Sequence, residues 1–520
     1  MPISRSRLRW GFVALLAAAI AAAVFVTEPW PTPHDASLFI VIGRGMLSGR
    51  PPYTGLWDDK PVGIYLVGAL AWILDQGNTV ASMQALSVAA IAITATSCAW
   101  FVSSVTSRFW AGIVTVIAVA GGLSLPDLSY GGGMSELFAV TGISVCLAAT
   151  GGIMLNRRGL IWPAVAGAGF AWAISCSLLT LGAVPAMAVL WLTIPVDGAA
   201  YPLGRATWRT WIRRRLFDRR LAMAVGVAAV VLLVLWLPVL AGAALPAALD
   251  AFLRYNSLYR AAAGSLKIRS WVDGVAYFWP VWLPTLAMAL VPTARRQLLG
   301  FRVMRSNFAR VVALWGLGEA ALLVYGLRFY ARYLMLVVPP LAVMLGLTLG
   351  TLWLERPEIG RRAVALAMCA AVVLGLGWQA RPGPSYEADF AANARLVAYI
   401  QANSAASDSI YVWGDDPDLY VRSNRQPAGA YFYLLPLTMP GYGPGAVATM
   451  VAAWQAQPPR LIVTGSSTVP DSVDLFPLMQ TPAMGDPTGY AMLAPMQAFI
   501  RSHYDLVATF SVGEVWRYRG

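Results

Sequence analysis

A chain of 520 residues that is 58% hydrophobic and 12% charged is too apolar for an ordinary soluble domain, which is roughly half apolar and about one quarter charged. Its net charge of +13 lies mainly in short loops beside apolar runs, which is typical of cytoplasmic membrane loops and argues against a nucleic-acid-binding protein. The four cysteines lie within apolar runs without a CxxC pair, so neither a disulfide framework nor a zinc site is predicted.

Apolar runs recur along the first 380 residues, and many approach the length of about 20 residues that a membrane-spanning helix needs. The first run follows a basic N-terminus, is long for a signal peptide and lacks a small-residue cleavage site, so it is predicted to be a retained helix. The runs are 10–26, 61–75, 80–103, 109–125, 136–155, 160–177, 179–196, 221–243, 274–293, 310–327, 333–354 and 362–379.

Arginine-rich loops give the expected sides of the membrane. By the positive-inside rule, cytoplasmic positions are predicted for the basic segments near 157, 205–220, 295–310 and 356–362. The loops 27–60, 124–136 and 245–273 and the chain after 381 are then predicted to lie on the opposite side of the membrane. Because Lys60 and Glu136 share that side, either one of the runs 61–75, 80–103 and 109–125 does not cross fully or two of them fuse into a bent helix. Either case leaves about eleven crossings.

The composition changes near Arg381, where a short segment rich in proline and glycine ends the apolar part. Beyond it, AANARLVAYIQANS and the segment 492–502 are predicted helices, while SIYVWG, RLIVTG, VATFSV and VWRYR are predicted strands. The sequence therefore predicts a transmembrane domain over 1–380 and a soluble α/β domain over 385–520 outside the cytoplasm.

The loop 27–60 carries charged residues near both ends, and charges held against a membrane are usually functional. Asp35 follows two prolines and opens the stretch ASLFIVIGRGML, whose spacing predicts an interfacial helix with Asp35 on its polar side. A carboxylate at this position can act as a general base or as a helix N-cap, and the local pattern does not decide between the two.

Lys60 follows two aspartates and precedes the next apolar run. Its ammonium group suits a lipid phosphate, and ordinary interfacial snorkelling is the alternative. The neighbouring Asp58 and Asp59 favour a polar site and make Asp59 a candidate ligand of a divalent cation. Two carboxylates alone, however, do not complete a coordination shell.

Three later segments add candidate residues. Glu136 follows the flexible run YGGGMS and starts an apolar helix, either as a functional carboxylate or as a favourable charge at a helix N-terminus. Arg254 and Arg260 run against the positive-inside trend and suit either a phosphate ligand or anionic lipid. Arg332 and Tyr333 suit either a charged ligand at a helix end or an interfacial anchor.

In combination, these segments resemble the GT-C membrane glycosyltransferases, in particular the branch of protein O-mannosyltransferases and bacterial aminoarabinose transferases. The resemblance covers nearly the whole membrane part, and the soluble end resembles that of bacterial relatives. It rests on Asp35, on GMLSGRPPY over 45–53, on DDKP over 58–61, on Glu136, and on Arg332, Tyr333 and Leu334 with Pro339 and Pro340. The chain departs from the family pattern at His34, Ala36 and Phe39, where the family has other residues.

The resemblance implies a polytopic α-helical GT-C fold of about eleven transmembrane helices, with a small C-terminal α/β domain on the periplasmic side of a bacterial cytoplasmic (inner) membrane. It also implies inverting transfer of a sugar from a polyprenyl-phosphate donor to a hydroxyl or phosphate of a lipid, glycan or protein acceptor. The implied general base is Asp35, and Glu136 would position the acceptor. The donor phosphate would be bound by Lys60 with Arg254, Arg260, Arg332 and Tyr333, and Asp59 would either bind a divalent cation or orient Lys60.

A transporter or flippase of polyprenyl-linked glycans is the main alternative, and a non-catalytic scaffold of envelope assembly is a third. Transporters place charged groups near the bilayer midplane and often consist of repeated halves. In this sequence the prominent charges lie in loops and no internal repeat is found, which favours an enzyme.

Overall fold

The computed structural model describes residues 5–27, 34–76, 79–154, 159–193, 218–261, 304–326, 330–355, 357–363, 386–464, 491–511 and 513–520, with a few single positions between 272 and 282 and between 366 and 370. Most of the predicted runs 274–293 and 362–379, the basic segment 205–217 and Cys369 lie outside the described residues.

The apolar part of the chain is built of helices, because in lipid every backbone polar group has to form its hydrogen bond within the protein. The described runs coincide with helices whose ends differ from the prediction by a few residues. The α-helices are Arg5–Thr27, Val62–Leu74, Thr79–Thr106, Phe109–Leu123, Pro126–Ser129, Ser135–Met154, Ile161–Cys176, Val184–Thr193, Arg219–Ala241, Met304–Gly326 and Val338–Glu355, with 3-10 turns at Leu178–Ala183 and Ala331–Leu336.

Six segments of the described residues are long and apolar enough to cross a membrane. They are Leu8–Phe25, Thr79–Thr106, Ser135–Ile153, Arg219–Ala241, Phe308–Tyr325 and Ala331–Trp353. The predicted polytopic α-helical membrane protein is therefore confirmed, while the count of about eleven crossings stays a prediction.

Val62–Leu74 is the shortest of the three runs between Lys60 and Glu136. Its 13 residues rise about 20 Å, which is well below the roughly 30 Å of a hydrocarbon core. It also packs against the helix His34–Leu47, which belongs to the same loop region as Lys60. Phe109–Leu123, with 15 residues, is also shorter than such a core, so which of the three runs does not cross stays a prediction.

The chain forms two compact units. The first unit consists of Met1–Pro29, Gln84–Leu235 and Ile268–Arg381, and the second of Trp30–Met83, Trp236–Lys267 and Pro382–Gly520. The second unit thus joins the first predicted loop and a later loop with the C-terminal part of the chain.

Glycines allow close packing of helices in the first unit. Gly142 of Ser135–Met154 and Gly169 of Ile161–Cys176 face each other, and a Cβ atom at either position would collide with the opposite backbone. Small residues at such crossings increase van der Waals contact, which membrane helices need because lipid gives them little hydrophobic driving force to associate.

A second close helix pair lies in the second unit. His34–Leu47 packs against Val62–Leu74 at Gly43 and Gly68, where added Cβ atoms would collide with the facing backbone. The helix predicted after Asp35 is therefore present. However, the residues from Ala36 to Gly45 are all buried, because the C-terminal part of the chain packs on this helix as well. The expected arrangement, a helix lying flat with one polar side exposed, is not observed.

The C-terminal part of the second unit contains a mixed five-stranded sheet in the order β2-β1-β3-β5-β4. Strand β1 pairs in parallel with β2 and β3, and β5 pairs antiparallel with β3 and β4. The strands are β1 (Ser409–Trp413), β2 (Gln426–Pro427), β3 (Leu461–Thr464), β4 (Tyr504–Phe510) and β5 (Gly513–Tyr518). The central strand β3 is fully buried, in agreement with its apolar residues Leu461, Ile462 and Val463, and the hydroxyl of its last residue Thr464 accepts a hydrogen bond from the Glu514 N–H.

Helices complete the second unit. Around the sheet they are Tyr386–Asn403, Asp418–Ser423, Gly443–Ala456 and Ala494–His503. The later loop consists of Leu245–Asp250, a π-helical turn at Ala251–Tyr255 and Asn256–Ala261. The predicted small C-terminal α/β fold is confirmed.

Candidate active site

The predicted site residues are divided between the two units. The second unit contains Asp35, Asp59, Lys60, Arg254 and Arg260. The first unit contains Glu136, Arg332 and Tyr333.

Asp35 lies in the first turn of the helix His34–Leu47, where the helix dipole favours a negative charge. Its carboxylate Oδ1 is 3.3 Å from Nδ1 of His34. The side chain is 15% exposed, so it is largely sheltered but still accessible to a reactant. This placement is compatible with a general base at a helix start.

Asp58 is the most deeply buried acid of the first loop. Its Oδ1 accepts a hydrogen bond of 3.0 Å from the hydroxyl of Tyr433, and its Oδ2 accepts one of 3.0 Å from the hydroxyl of Tyr65. Burial raises the pKa of Asp58, the charge of Asp59 raises it further, and the charge of Lys60 opposes the rise. Asp58 therefore belongs to the internal framework of the loop.

Lys60 has a fixed backbone and a partly exposed charge. Its N–H donates to the Tyr65 hydroxyl at 3.1 Å, and its carbonyl accepts from the Tyr53 hydroxyl at 2.8 Å. Its ammonium Nζ lies 3.1 Å from Oδ1 of Asp59, and the two side chains are 20% and 11% exposed. A positive group is thus held in a set place while it remains reachable by an anionic ligand.

Tyr433 connects Asp35 with this lysine. Its ring packs edge-on against His34, the neighbour of Asp35, with ring centroids 6.0 Å apart. Its hydroxyl bonds to Asp58, which shares Tyr65 with the Lys60 backbone. One continuous set of contacts therefore runs from the Asp35 carboxylate to Lys60, and a residue of the C-terminal part stands in its middle.

Two arginines that the sequence reasoning passed over hold the first loop against the C-terminal part. Arg50 donates to the carbonyl oxygens of Pro427 at 2.7 Å, Gly429 at 2.8 Å and Gly55 at 2.8 Å. Arg44 lies 4.8 Å from the centre of the Trp72 ring, and burial lowers its pKa to about 10. In the sequence, the only signal for Arg50 is its position within the motif GMLSGRPPY at residues 45–53.

An aromatic cluster surrounds Trp57 and was also not predicted. The ring centroids of Tyr255, Tyr431, Tyr442 and Tyr433 lie 4.6, 5.4, 5.4 and 6.4 Å from that of Trp57. These residues come from three separate parts of the sequence, so the cluster packs the loop 27–60 and the segment 245–261 against the C-terminal part.

Arg254 and Arg260 lie on the later loop of the same unit. Arg254 donates to the Gly441 carbonyl at 3.1 Å and lies 3.7 Å from the Asp250 carboxylate, while 61% of its side chain stays exposed. Arg260 is half-buried in the helix Asn256–Ala261. The guanidinium of Arg254 is therefore held in place by these two contacts, and its exposed part is accessible to a ligand.

In the first unit, Glu136 is buried in the first turn of Ser135–Met154. The preceding residues from Tyr130 to Gly133 all adopt positive φ, and the N–H of Gly133 donates to the Ser87 hydroxyl at 2.8 Å. The predicted close approach of this glycine run to another part of the chain is thus observed.

Arg332 and Tyr333 lie in the 3-10 turn Ala331–Leu336. The guanidinium of Arg332 is 4.5 Å from the Tyr330 ring centre and 5.7 Å from that of Tyr333. This turn packs against the helix that starts with Glu136, so the predicted acidic and basic residues of the first unit lie on neighbouring elements.

Asp58 and Asp59 of the first loop have partners within the chain. Both oxygens of Asp58 accept tyrosine hydroxyl groups, and Asp59 is paired with Lys60. Within the described part of the chain, no group of three histidine, cysteine or acidic side chains could hold a metal ion. The proposal of Asp59 as a metal ligand thus has no support from the donor set.

No family model matches the sequence, and no curated protein matches it at a significant level. Among solved structures, the chain is similar to ArnT from Cupriavidus metallidurans bound to undecaprenyl phosphate, with a TM-score of 0.58, 13% identity and 97% of each chain covered. The apo state of that protein gives a TM-score of 0.40 at 15% identity, again with 97% of each chain covered.

The oligosaccharyltransferase of Archaeoglobus fulgidus, in complex with zinc and sulfate, gives a TM-score of 0.47 at 12% identity. Here 88% of this chain and 68% of that chain are covered. At these identities the comparison concerns the fold. The chain has the fold of the ArnT-like GT-C membrane glycosyltransferases, as its loop motifs predicted.

Proposed function

We propose that this protein is an inverting glycosyltransferase that moves a sugar from a polyprenyl-phosphate donor to an acceptor at the outer face of the cytoplasmic membrane. The observation that carries the proposal is the continuous set of contacts through Tyr433 between the Asp35 carboxylate and Lys60. Support comes from the shared fold with ArnT, a protein whose solved structure contains undecaprenyl phosphate.

The chemistry needs one proton acceptor and one group that stabilises the leaving phosphate. Asp35 takes the proton of the acceptor hydroxyl while the acceptor oxygen forms its bond to the anomeric carbon. The bond from that carbon to the donor phosphate breaks, and its electron pair stays on the phosphate oxygen. Lys60 stabilises the charge that develops there, so no acid is needed to protonate the leaving group.

The remaining candidates extend this scheme. Arg254 and Arg260 supply further positive charge for the donor phosphate from the same unit as Lys60. Arg332 and Tyr333 would contact the donor, and Glu136 would position the acceptor, which is a lipid, glycan or protein. A divalent cation stays a prediction, and no step of the scheme depends on one.

One observation favours the alternative of a transporter. Glu319 is buried within the apolar helix Met304–Gly326, where its Oε1 accepts a hydrogen bond of 3.2 Å from Trp315. Buried acids within a membrane span often belong to a transport pathway. A flippase would move labelled polyprenyl-linked glycan between leaflets without releasing polyprenyl phosphate, so the product distinguishes the two functions.

The test is a transfer assay with purified protein in lipid nanodiscs, polyprenyl-phosphate sugars as donors and membrane lipid extract as acceptor. We expect Asp35→Asn to lower kcat by roughly 10²- to 10⁴-fold, because the amide does not accept the proton. Asp505→Asn is the matched control, since Asp505 is 63% exposed in the same unit and pairs with Arg519. Wild-type turnover by Asp35→Asn would contradict the assignment.

The phosphate role is tested separately by binding. Polyprenyl phosphate should raise the unfolding temperature of the wild type, because a ligand that binds only the folded state stabilises it. Lys60→Ala should lose most of this stabilisation, whereas Asp505→Asn should keep it. An unchanged response in Lys60→Ala would remove Lys60 from the donor site.

A further inference from the structure

His34 is in direct side-chain contact with the proposed general base, and the scheme does not use it. It starts the helix His34–Leu47, and its Nδ1 lies 3.3 Å from Oδ1 of Asp35. The imidazole is 35% exposed, although its Nε2 atom is buried. The ring is therefore held in a definite orientation beside the carboxylate.

The C-terminal part of the second unit surrounds this imidazole on other sides. The ring of Tyr433 meets it edge-on at 6.0 Å with an interplanar angle of 76°. The buried carboxylate of Asp418 interacts with it electrostatically, from the short helix Asp418–Ser423 that packs on His34–Leu47. The imidazole thus interacts with two acidic residues, one on its own helix and one on the C-terminal part.

We propose that His34 is a positioning residue for Asp35, held in place by Tyr433 and Asp418. This inference rests on the proposed function. The Nδ1–H donates to Oδ1 of Asp35, which fixes the orientation of the carboxylate that takes the proton of the acceptor hydroxyl. A donor at this place also stabilises the ionised carboxylate that the reaction requires.

The charged groups around the imidazole agree with this role. Asp35 faces it at 3.3 Å, while burial and the charge of Asp416 raise the pKa of Asp418 to about 7, so Asp418 becomes negative only as the pH rises through that value. Arg422 pairs with Asp418 at 3.7 Å and favours its ionised form. A protonated nitrogen facing Asp35 is the arrangement that these charges favour.

Two substitutions separate the hydrogen bond from the packing. His34→Asn keeps an N–H donor near the position of Nδ1 but loses the ring. His34→Phe keeps a ring against Tyr433 but loses both nitrogen atoms. We expect His34→Phe to lower kcat by roughly 10- to 100-fold with little change in KM for the donor, and His34→Asn to keep most of the wild-type kcat.

His503 supplies the matched control, because it is the only other histidine of the chain and its ring stacks on Phe499. His503→Phe should turn over like the wild type. Wild-type kcat in His34→Phe would overturn the proposal. So would equal losses in His34→Phe and His34→Asn, because the donor would then not be the group that matters.

A second measurement does not depend on turnover and so separates this proposal from the proposed function. In protein labelled with ¹³C-histidine, two signals are expected, and the one absent from His34→Phe belongs to His34. Asp35→Asn should move its titration to lower pH, because it removes a negative charge beside the imidazole. A titration that is unchanged in Asp35→Asn would overturn the placement of His34 even if sugar transfer were established.

Discussion

Among the described residues of the second unit, Asp58 and Asp418 are buried acids with different surroundings. Asp58 accepts hydrogen bonds from the hydroxyl groups of Tyr65 and Tyr433, one on each oxygen, and burial with the charge of Asp59 raises its pKa to about 7. Asp418 has Arg422 at 3.7 Å, and burial together with Asp416 also raises its pKa to about 7. A buried acid without full compensation favours its protonated form. Asp418 should therefore make stability depend on pH.

The direction in which stability changes with pH follows from the pKa values of Asp418 in the folded and unfolded states. The folded value of about 7 is above the ordinary value of 3.8, so between them the folded state holds a proton that the unfolded chain releases. The free energy of unfolding should fall as pH rises through this window. Asp418→Asn stays neutral, so at about pH 8 it should be more stable than the wild type, by about 1–3 kcal/mol.

Thermal unfolding in detergent between about pH 5 and pH 8 measures this difference. The gap between Asp418→Asn and wild type should widen as the pH rises. Asp505→Asn, which removes an exposed acid, should show no such widening. A difference in unfolding temperature between Asp418→Asn and the wild type that stays constant over this pH range would contradict the raised pKa of Asp418.

At the scale of elements, the helix pair His34–Leu47 and Val62–Leu74 depends on glycine. A Cβ atom on Gly68 would lie within 2.1 Å of the Phe39 carbonyl oxygen, and one on Gly43 within 2.2 Å of the Ala69 nitrogen. Because backbone atoms face both positions, no side-chain rotation can relieve the collision. The spacing of the two helices is therefore set at these two residues.

Gly68→Ala should force the two helices apart and destabilise the protein by about 1–3 kcal/mol. The loss should appear as a lower midpoint of thermal unfolding and, because the helix begins with His34 and Asp35, as a lower kcat. Gly226→Ala is the control, since that helical glycine has open space around the added Cβ. Equal midpoints of thermal unfolding for Gly68→Ala and the wild type would show that the two helices accommodate the added methyl group.

Local patterns were enough to predict most elements, but not how the buried helix is covered. The apolar stretches SIYVW and LIVT became strands β1 and β3, and the long apolar runs became helices. Strand β2, with two residues, carries no pattern of its own. The helix His34–Leu47 looked like an interfacial helix because its second partner lies more than 370 residues further along the chain.

At the scale of the whole molecule, the first loop and the C-terminal part form one unit through Arg50. Its guanidinium donates to carbonyl oxygens on both sides of that contact. Arg50→Lys keeps the positive charge but replaces the planar guanidinium group by a single ammonium group. The ammonium cannot donate to all three carbonyl oxygens with the same geometry. We expect a loss of about 1–3 kcal/mol in local stability.

Hydrogen exchange of the segment 426–434 reports this loss, because local opening exposes its amides. Exchange should be faster in Arg50→Lys, while Arg460→Lys, an exposed arginine of the same unit, should exchange like the wild type. Unchanged exchange in Arg50→Lys would show that the aromatic cluster around Trp57 is sufficient to hold the loop.

The candidate site was predictable where single residues carry charge in unusual places. Asp35, Lys60 and Glu136 could be selected from the sequence because they stand beside apolar runs. Tyr433 and Asp418 could not, because they lie in an ordinary soluble segment and reach His34 and Asp58 only through the tertiary fold. Whether Glu136 and Arg332 act together with Asp35 stays a prediction.

The partners of Arg50 have a consequence for how this protein can change over time. Every residue type has a carbonyl oxygen, so substitutions at positions 55, 427 and 429 that keep the backbone path leave all three acceptors in place. Diverging descendants could therefore change the side chain at position 427 and keep these hydrogen bonds, provided that the single arginine is inherited. Gly55 and Gly429 leave less freedom, because an added Cβ atom would meet the Pro51 backbone at one position and Met450 at the other, and Gly429 has a positive φ.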